Sequence, residues 1–187
     1  MPTNNQFNFG PAAQDETYVY GCARPGYGLE SVPHALVIEW CRYMKEQQVN
    51  SVCCLLSPSQ LHYYDDLLGT YKRYFGDKRV LWEPIEDYVL VTQTQLEESI
   101  IPYIDGCRAI PTKVVVHCSA GIGRTGHVLA LWLSHARHVD KQSAMHLVRA
   151  VHGVVRNPEE ACTSPRMQRQ IDALFGLKLV TSAANPT

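Results

Sequence analysis

One stretch of ten residues gathers the reactive groups of this chain: His117-Cys118-Ser119-Ala120-Gly121-Ile122-Gly123-Arg124-Thr125-Gly126. It follows the apolar run Val114-Val115-Val116 and precedes an apolar segment from His127 to Leu133, so it reads as strand, loop and helix N-terminus. Backbone N–H groups at such a junction converge on an anion. A thiol is mostly protonated in neutral water and weakly nucleophilic; the partial positive charge of a helix start and a guanidinium nearby both favour the thiolate. Arg124 stands six positions after Cys118, enough for the chain to curl around a tetrahedral anion and return a planar fork to two of its oxygens. Gly121 and Gly123 suit a backbone that must approach a ligand closely. Ser119, Ala120, Gly121, Ile122, Gly123 and Arg124 thus form a phosphate cradle, Thr125 can donate its hydroxyl to the thiolate, and His117 can fix the loop through ring hydrogen bonds.

Displacing an alkoxide or phenolate from phosphorus at neutral pH also needs a proton donor. The segment Trp82-Glu83-Pro84-Ile85-Glu86-Asp87-Tyr88 places three carboxylates just after a short apolar run, Val80 to Trp82. The residues alone leave Glu83, Glu86 and Asp87 all open, although Pro84 keeps Glu83 extended at the strand end.

HCSAGIGRTG resembles the signature of the cysteine-dependent protein tyrosine and dual-specificity phosphatases, and Pro84-Ile85-Glu86-Asp87 is similar to that family's acid loop. The resemblance runs from Tyr18 to Phe175 and is less specific outside these two loops. It implies Cys118 as nucleophile through a phospho-cysteine, Arg124 as clamp, Asp87 as acid, and no metal or other cofactor. Arg156-Asn157-Pro158-Glu159-Glu160-Ala161 is similar to the loop beside the family's active site, which makes Asn157 and Gln168 candidates to orient the hydrolytic water; the spacing from Ser164 to Gln168 is one residue longer than the family's form. Gly21 to Gly26 resembles the opening segment of small microbial members; Arg24 there reads as structural, with substrate contact as the alternative. Phosphoinositide members usually carry lysines inside the cradle, where Ser119 and Ile122 stand here, so the resemblance implies a phosphorylated protein or peptide, phosphotyrosine first and phosphoserine or phosphothreonine second. A phosphatase of a small metabolite or phosphoinositide and an inactive phosphopeptide-binding module are the alternatives.

These groups need a scaffold, and 187 residues with 45% hydrophobic content suit one compact domain. Alternating strand and helix patterns predict an α/β fold with a mainly parallel four- to five-stranded central sheet flanked by helices, which the resemblance makes protein tyrosine phosphatase-like. Strands are expected over Thr17 to Cys22, Val49 to Leu56, Lys78 to Trp82 and Lys113 to His117. Helices are expected after Pro33, from Pro58 through about Leu67, around Leu96 to Ile104 with a kink near Pro102, and over 123–138, 141–151 and 165–175. Residues 1–14, rich in Asn and Gln, read as a loose arm, 15–179 as the catalytic domain and 180–187 as a tail.

A net charge of −1 gives no electrostatic case for nucleic acid or an anionic membrane. No basic start followed by an apolar stretch and no span-length run is found, which points to the cytoplasm. Seven cysteines without a CxxC pair argue against a disulfide framework. Cys53 and Cys54 read as core residues, with trapping of an oxidised Cys118 as the alternative.

Overall fold

A computed structural model describes residues 6–110 and 112–177. Its centre is a five-stranded sheet in the order β1-β2-β5-β3-β4, built from β1 (Gly10–Pro11), β2 (Val19–Ala23), β3 (Val49–Cys54), β4 (Val80–Trp82) and β5 (Lys113–Cys118). β2, β5, β3 and β4 run parallel, and β1 adds to β2 antiparallel. The expected α/β architecture is the observed one. Parallel strands are buried on both faces, and Val114, Val115 and Val116 are each fully buried. Val114, Val116 and Cys118 face a core that includes Ile104, Leu129, Trp132 and Ile171, whereas Val115 faces Trp40, Tyr71 and Phe75.

α1 (His34–Glu46) carries the chain from β2 past the future position of β5 to β3. β5 then inserts between them, so its carboxyl end opens at the point where neighbouring connections diverge, the favoured ligand crevice of such sheets. Val37, Trp40, Cys41 and Met44 bury one face of α1, as their spacing predicts. The remaining helices are α2 (Pro58–Leu61), α3 (Leu67–Phe75), α4 (Ile101–Ala109), α5 (Gly123–Arg137), α6 (Lys141–Arg149) and α7 (Pro165–Phe175). Ser164 caps α7, its hydroxyl accepting from the Met167 N–H, with Pro165 in the first turn.

Three local expectations are corrected. The helix expected from Pro58 through Leu67 is two helices, because the Asp66 carboxylate accepts from the Gly69 N–H at 2.9 Å and starts α3 afresh. The strand expected from Lys78 begins at Val80, after a 3-10 turn over Asp77–Arg79. Near Pro102 the chain makes a π-helical stretch, Gln95–Ile100, that runs into α4; a proline cannot donate to the carbonyl four residues back, and a wider turn absorbs the missing bond.

The loose arm expected over residues 1–14 is also corrected for the part that is described. Gly10 and Pro11 pair with Gly21 and Tyr20, Phe9 stacks on Tyr20 at 5.0 Å, Phe7 meets the edge of Tyr43 at 5.3 Å, and Ala12 and Ala13 are fully buried. The Asn and Gln content masks these anchors. Residues 1–5 and the expected tail at 180–187 lie outside the described residues.

His117 and His127 are wholly enclosed, and desolvation pushes each imidazole down from 6.5 to about 4. The unfolded chain therefore binds more protons than the folded one between about pH 6.5 and pH 4, and stability falls as pH drops through that window. The expected loss is about 3 kcal/mol per histidine at its lower end. Denaturant midpoints from pH 7 to pH 4 check this, and an H127L variant should lose about half of the histidine-dependent slope.

Candidate active site

Cys118 ends β5 at the centre of the sheet, paired in register with Ala23 of β2. Its residue is 3% exposed. The preceding His117 points to the opposite face, where its ring lies 5.4 Å from Trp40 and 5.6 Å from Tyr71. Nδ1 is 3.3 Å from the Cys118 carbonyl and Nε2 is 3.2 Å from the Tyr71 hydroxyl. A carbonyl only accepts, so Nδ1 carries the hydrogen; the neutral ring then leaves Nε2 to accept from Tyr71. Trp40 adds a bond from its indole N–H to the Ala23 carbonyl at 3.0 Å. The expected positioning role of His117 has this geometric basis.

From Ser119 to Ile122 every carbonyl has a partner outside the loop. Ser119 accepts from the Arg24 N–H at 3.0 Å and Ile122 from the Asn157 N–H at 3.2 Å. Ala120 accepts from the Asn8 amide at 3.3 Å, and Gly121 from that amide and from Arg156 Nη1 at 2.7 Å. A planar trans peptide points its N–H opposite to its C=O, so the N–H groups of Ala120, Gly121, Ile122 and Gly123 turn away from these partners to the concave side. The chain runs straight on into α5, whose positive end joins the same array. The sequence-derived cradle is an array of inward donors held open from outside.

Gly121 has φ +71°, and a Cβ there would strike the backbone of Cys22. A G121A substitution meets both the left-handed penalty and a backbone that cannot yield. A loss of about 2–4 kcal/mol is expected, read as a lower denaturant midpoint. At Gly123 a Cβ would meet the Glu160 carboxylate, so a side chain there would displace Glu160.

Arg124 is 5% exposed. Nη1 donates to Gln60 Oε1 and to the Ile85 carbonyl, both at 2.8 Å, and Nη2 lies 3.2 Å from Asp87 Oδ1. Two fixed acceptors hold the fork in one orientation while its other nitrogen faces the acid loop. The three acids left open by the residues are therefore separated by the fold: Asp87 pairs with Arg124, Glu86 is exposed, and Glu83 continues the strand edge through its N–H to the Cys54 carbonyl at 3.0 Å. Tyr88, directly after Asp87, has φ +56°, an uncommon conformation for a large side chain, and it makes the turn that brings Asp87 back to the guanidinium.

Thr125 is fully buried, and its hydroxyl has no hydrogen-bond partner among the described residues. Asn157 reaches the cradle through its backbone, with its side chain exposed. Gln168 instead donates along α7 to Asp172 at 3.4 Å, beside the Lys141 ion pair. The extra residue before Gln168 thus accompanies a surface role. Arg24 is buried and donates to the Leu29 carbonyl at 2.6 Å, the Tyr64 hydroxyl at 2.9 Å and Ser119 Oγ at 3.3 Å; it braces the loop.

Four residues of the site were not singled out from sequence. Gln60 orients Arg124, and its signal was available in the capping box Ser57-x-x-Gln60. Asn8 carries no local signal. Arg156 donates to the carbonyls of Gly121, Gly21 and Asn8 at 2.7–3.0 Å; burial lowers it to about 10, so it remains a cation under the cradle at neutral pH. Glu160 stands beside Gly123, its carboxyl pushed up by burial and by the charge of Asp87 while Arg124 pulls it down. Cys53 and Cys54 are buried on opposite faces of β3. Burial raises both thiols, Cys54 to about 12, which keeps them protonated at neutral pH.

A family model described as "Tc-R-P: Polymorphic toxin system, DSP-PTPase phosphatase" matches residues 34–137, more than half of the chain, a range that includes the segments 82–88 and 117–126. The chain belongs to this family. Solved structures agree on the fold of this phosphatase. Tk-PTP in its active form is 22% identical with a TM-score of 0.64, over 87% of this chain and 97% of that one. Kinase associated phosphatase, with its catalytic-site cysteine replaced by serine, is 19% identical with a TM-score of 0.65, over 83% and 88%. PTPMT1 in complex with PI(5)P is 14% identical with a TM-score of 0.63, over 88% and 97%. Comparison with curated protein sequences finds no significant match.

Proposed function

We propose that this phosphatase hydrolyses phosphoprotein, phosphotyrosine first and phosphoserine or phosphothreonine second, through a phospho-Cys118 intermediate. The observation that carries the reading is the convergence of Cys118, the inward N–H array and the doubly anchored Arg124, with Asp87 3.2 Å from the guanidinium. In the first step the Cys118 thiolate attacks phosphorus, the bond to the ester oxygen breaks, and Asp87 gives that oxygen its proton. In the second, water attacks the phospho-cysteine, Asp87 takes the water's proton, and the thiolate departs. Arg124 and the loop N–H groups hold the equatorial oxygens throughout. Thr125 is suited to donate to the departing thiolate, and Asn157, whose N–H bonds the Ile122 carbonyl of the cradle, is a better candidate to orient the water than Gln168, which bonds Asp172.

Ser119 and Ile122 add no charge to the cradle, and Asp87 and Glu160 stand beside Arg124. A head group with several phosphates would meet these carboxylates without compensating lysines, which supports phosphoprotein over phosphoinositide. The test is a panel of p-nitrophenyl phosphate, phosphotyrosine and phosphoserine peptides, and inositol phosphates, compared by kcat/KM. Phosphotyrosine peptides should lead; inositol phosphates in first place would reverse the substrate assignment, and no turnover of any of them would leave a phosphopeptide-binding module. The family's description sets such domains in polymorphic toxin systems. Arrest of host growth by the expressed chain, relieved by C118S, would support that setting.

A further inference from the structure

The outer wall of the cradle continues into a cavity of 510 Å³ that the phosphoryl chemistry does not use. Ala120 and Ile122 of the cradle form one side of it, and Phe7, Tyr27, Leu36 and Val155 contribute most of the apolar remainder. Glu39 is the one charged side chain in the lining.

The part of its wall that adjoins the cradle is a built feature. The Asn8 amide donates to the carbonyls of Ala120, Gly121 and Val155, and its oxygen accepts from the Val155 N–H at 2.8 Å. Phe7 and Asn8 both hold left-handed backbone, at φ 61° and 50°, a conformation that persists only where surrounding contacts enforce it. The N-terminal segment is thus clamped onto the cradle itself. Tyr27 and Val155 remain 60% and 62% exposed at the rim, as large apolar side chains awaiting a partner do. A concave, mostly apolar space of this size, with Asn8 and Glu39 as its polar side chains, matches a binding subsite.

We propose that this cavity is a second substrate subsite, which takes an apolar side chain flanking the phosphorylated residue, with Glu39 favouring a basic neighbour. Phe7, Tyr27, Leu36 and Val155 set its shape preference and Glu39 its charge preference. The inference rests on the phosphoprotein reading and extends it: Ala120 and Ile122 contribute N–H groups to the array and also line the cavity, so a peptide whose phosphate sits on the array has the cavity as its neighbour across these two residues. An anionic flank would meet a carboxylate and no cation.

Three phosphotyrosine peptides identical except for the flank (Leu-Arg, Ala-Ala or Asp-Asp) test it on the full chain, with p-nitrophenyl phosphate as reference. The Leu-Arg peptide should exceed the Asp-Asp peptide in kcat/KM by at least about tenfold, a difference of about 1.4 kcal/mol, carried mainly in KM. V155W fills the cavity and E39K reverses its charge; both side chains are exposed, and each variant should bring the ratio towards one, with thermal melting confirming the fold. Equal kcat/KM for all three peptides, or a ratio that neither variant moves, overturns the subsite and leaves the phosphatase reading standing. Hydrolysis of p-nitrophenyl phosphate without turnover of any peptide overturns the phosphoprotein reading, and the subsite with it.

Discussion

Replacing Cys118 by serine should lower turnover by about 10⁴-fold or more while leaving oxyanion binding within a few-fold of the native value. A serine hydroxyl is a far weaker nucleophile than a thiolate. The binding apparatus is separate: Arg124 keeps its bonds to Gln60 and Ile85, and the cradle carbonyls keep their outside partners. The paired measurement is the rate with p-nitrophenyl phosphate and the affinity for tungstate by calorimetry. Near-native turnover in C118S would refute the phospho-cysteine route, whereas joint loss of turnover and binding would mean that position 118 shapes the cradle.

D87N should slow the reaction by about 10²–10³-fold with a basic leaving group. The defect should shrink markedly with p-nitrophenyl phosphate, whose leaving oxygen needs little protonation. A structural role for Asp87 would slow both substrates alike, so the ratio of the two defects discriminates. Asp87 is half exposed, and its loss should barely move the melting temperature, since exposed ion pairs contribute little. Asparagine also removes the anion competing for Arg124 Nη2, so phosphate binding should hold or tighten. Full activity of D87N with the basic leaving group would assign the proton to another group, and Glu160, which shares the neighbourhood of Arg124, would be the first to examine.

Both variants follow from residues legible in the chain, but the site as a whole was legible unevenly. Cys118, Arg124 and the glycines lie within ten consecutive positions, so their proximity is written into the chain. The helices flanking them carry strong apolar periodicity, and Gly123–Arg137 and Pro165–Phe175 form nearly where expected. Competing local signals decided the misses. Asp66 as a cap divided a helix that apolar spacing alone would continue, and the aromatic anchors of the N-terminal segment were diluted by neighbouring amides.

The sequence by itself determined a parallel-sheet scaffold, an anion cradle with its own thiol and guanidinium, and a short loop holding three candidate acids. Those properties depend on spacing along the chain and on periodic burial, which are written locally. Only the tertiary structure decided which carboxylate meets Arg124, that Gln60 aims it, and that Asn8 and Arg156 hold the cradle carbonyls from outside. These contacts join positions from 35 to more than 100 residues apart. Their partners are mostly backbone carbonyls, which every residue carries, so no side-chain pattern announces them; they exist only once the loops have been packed against the end of β5.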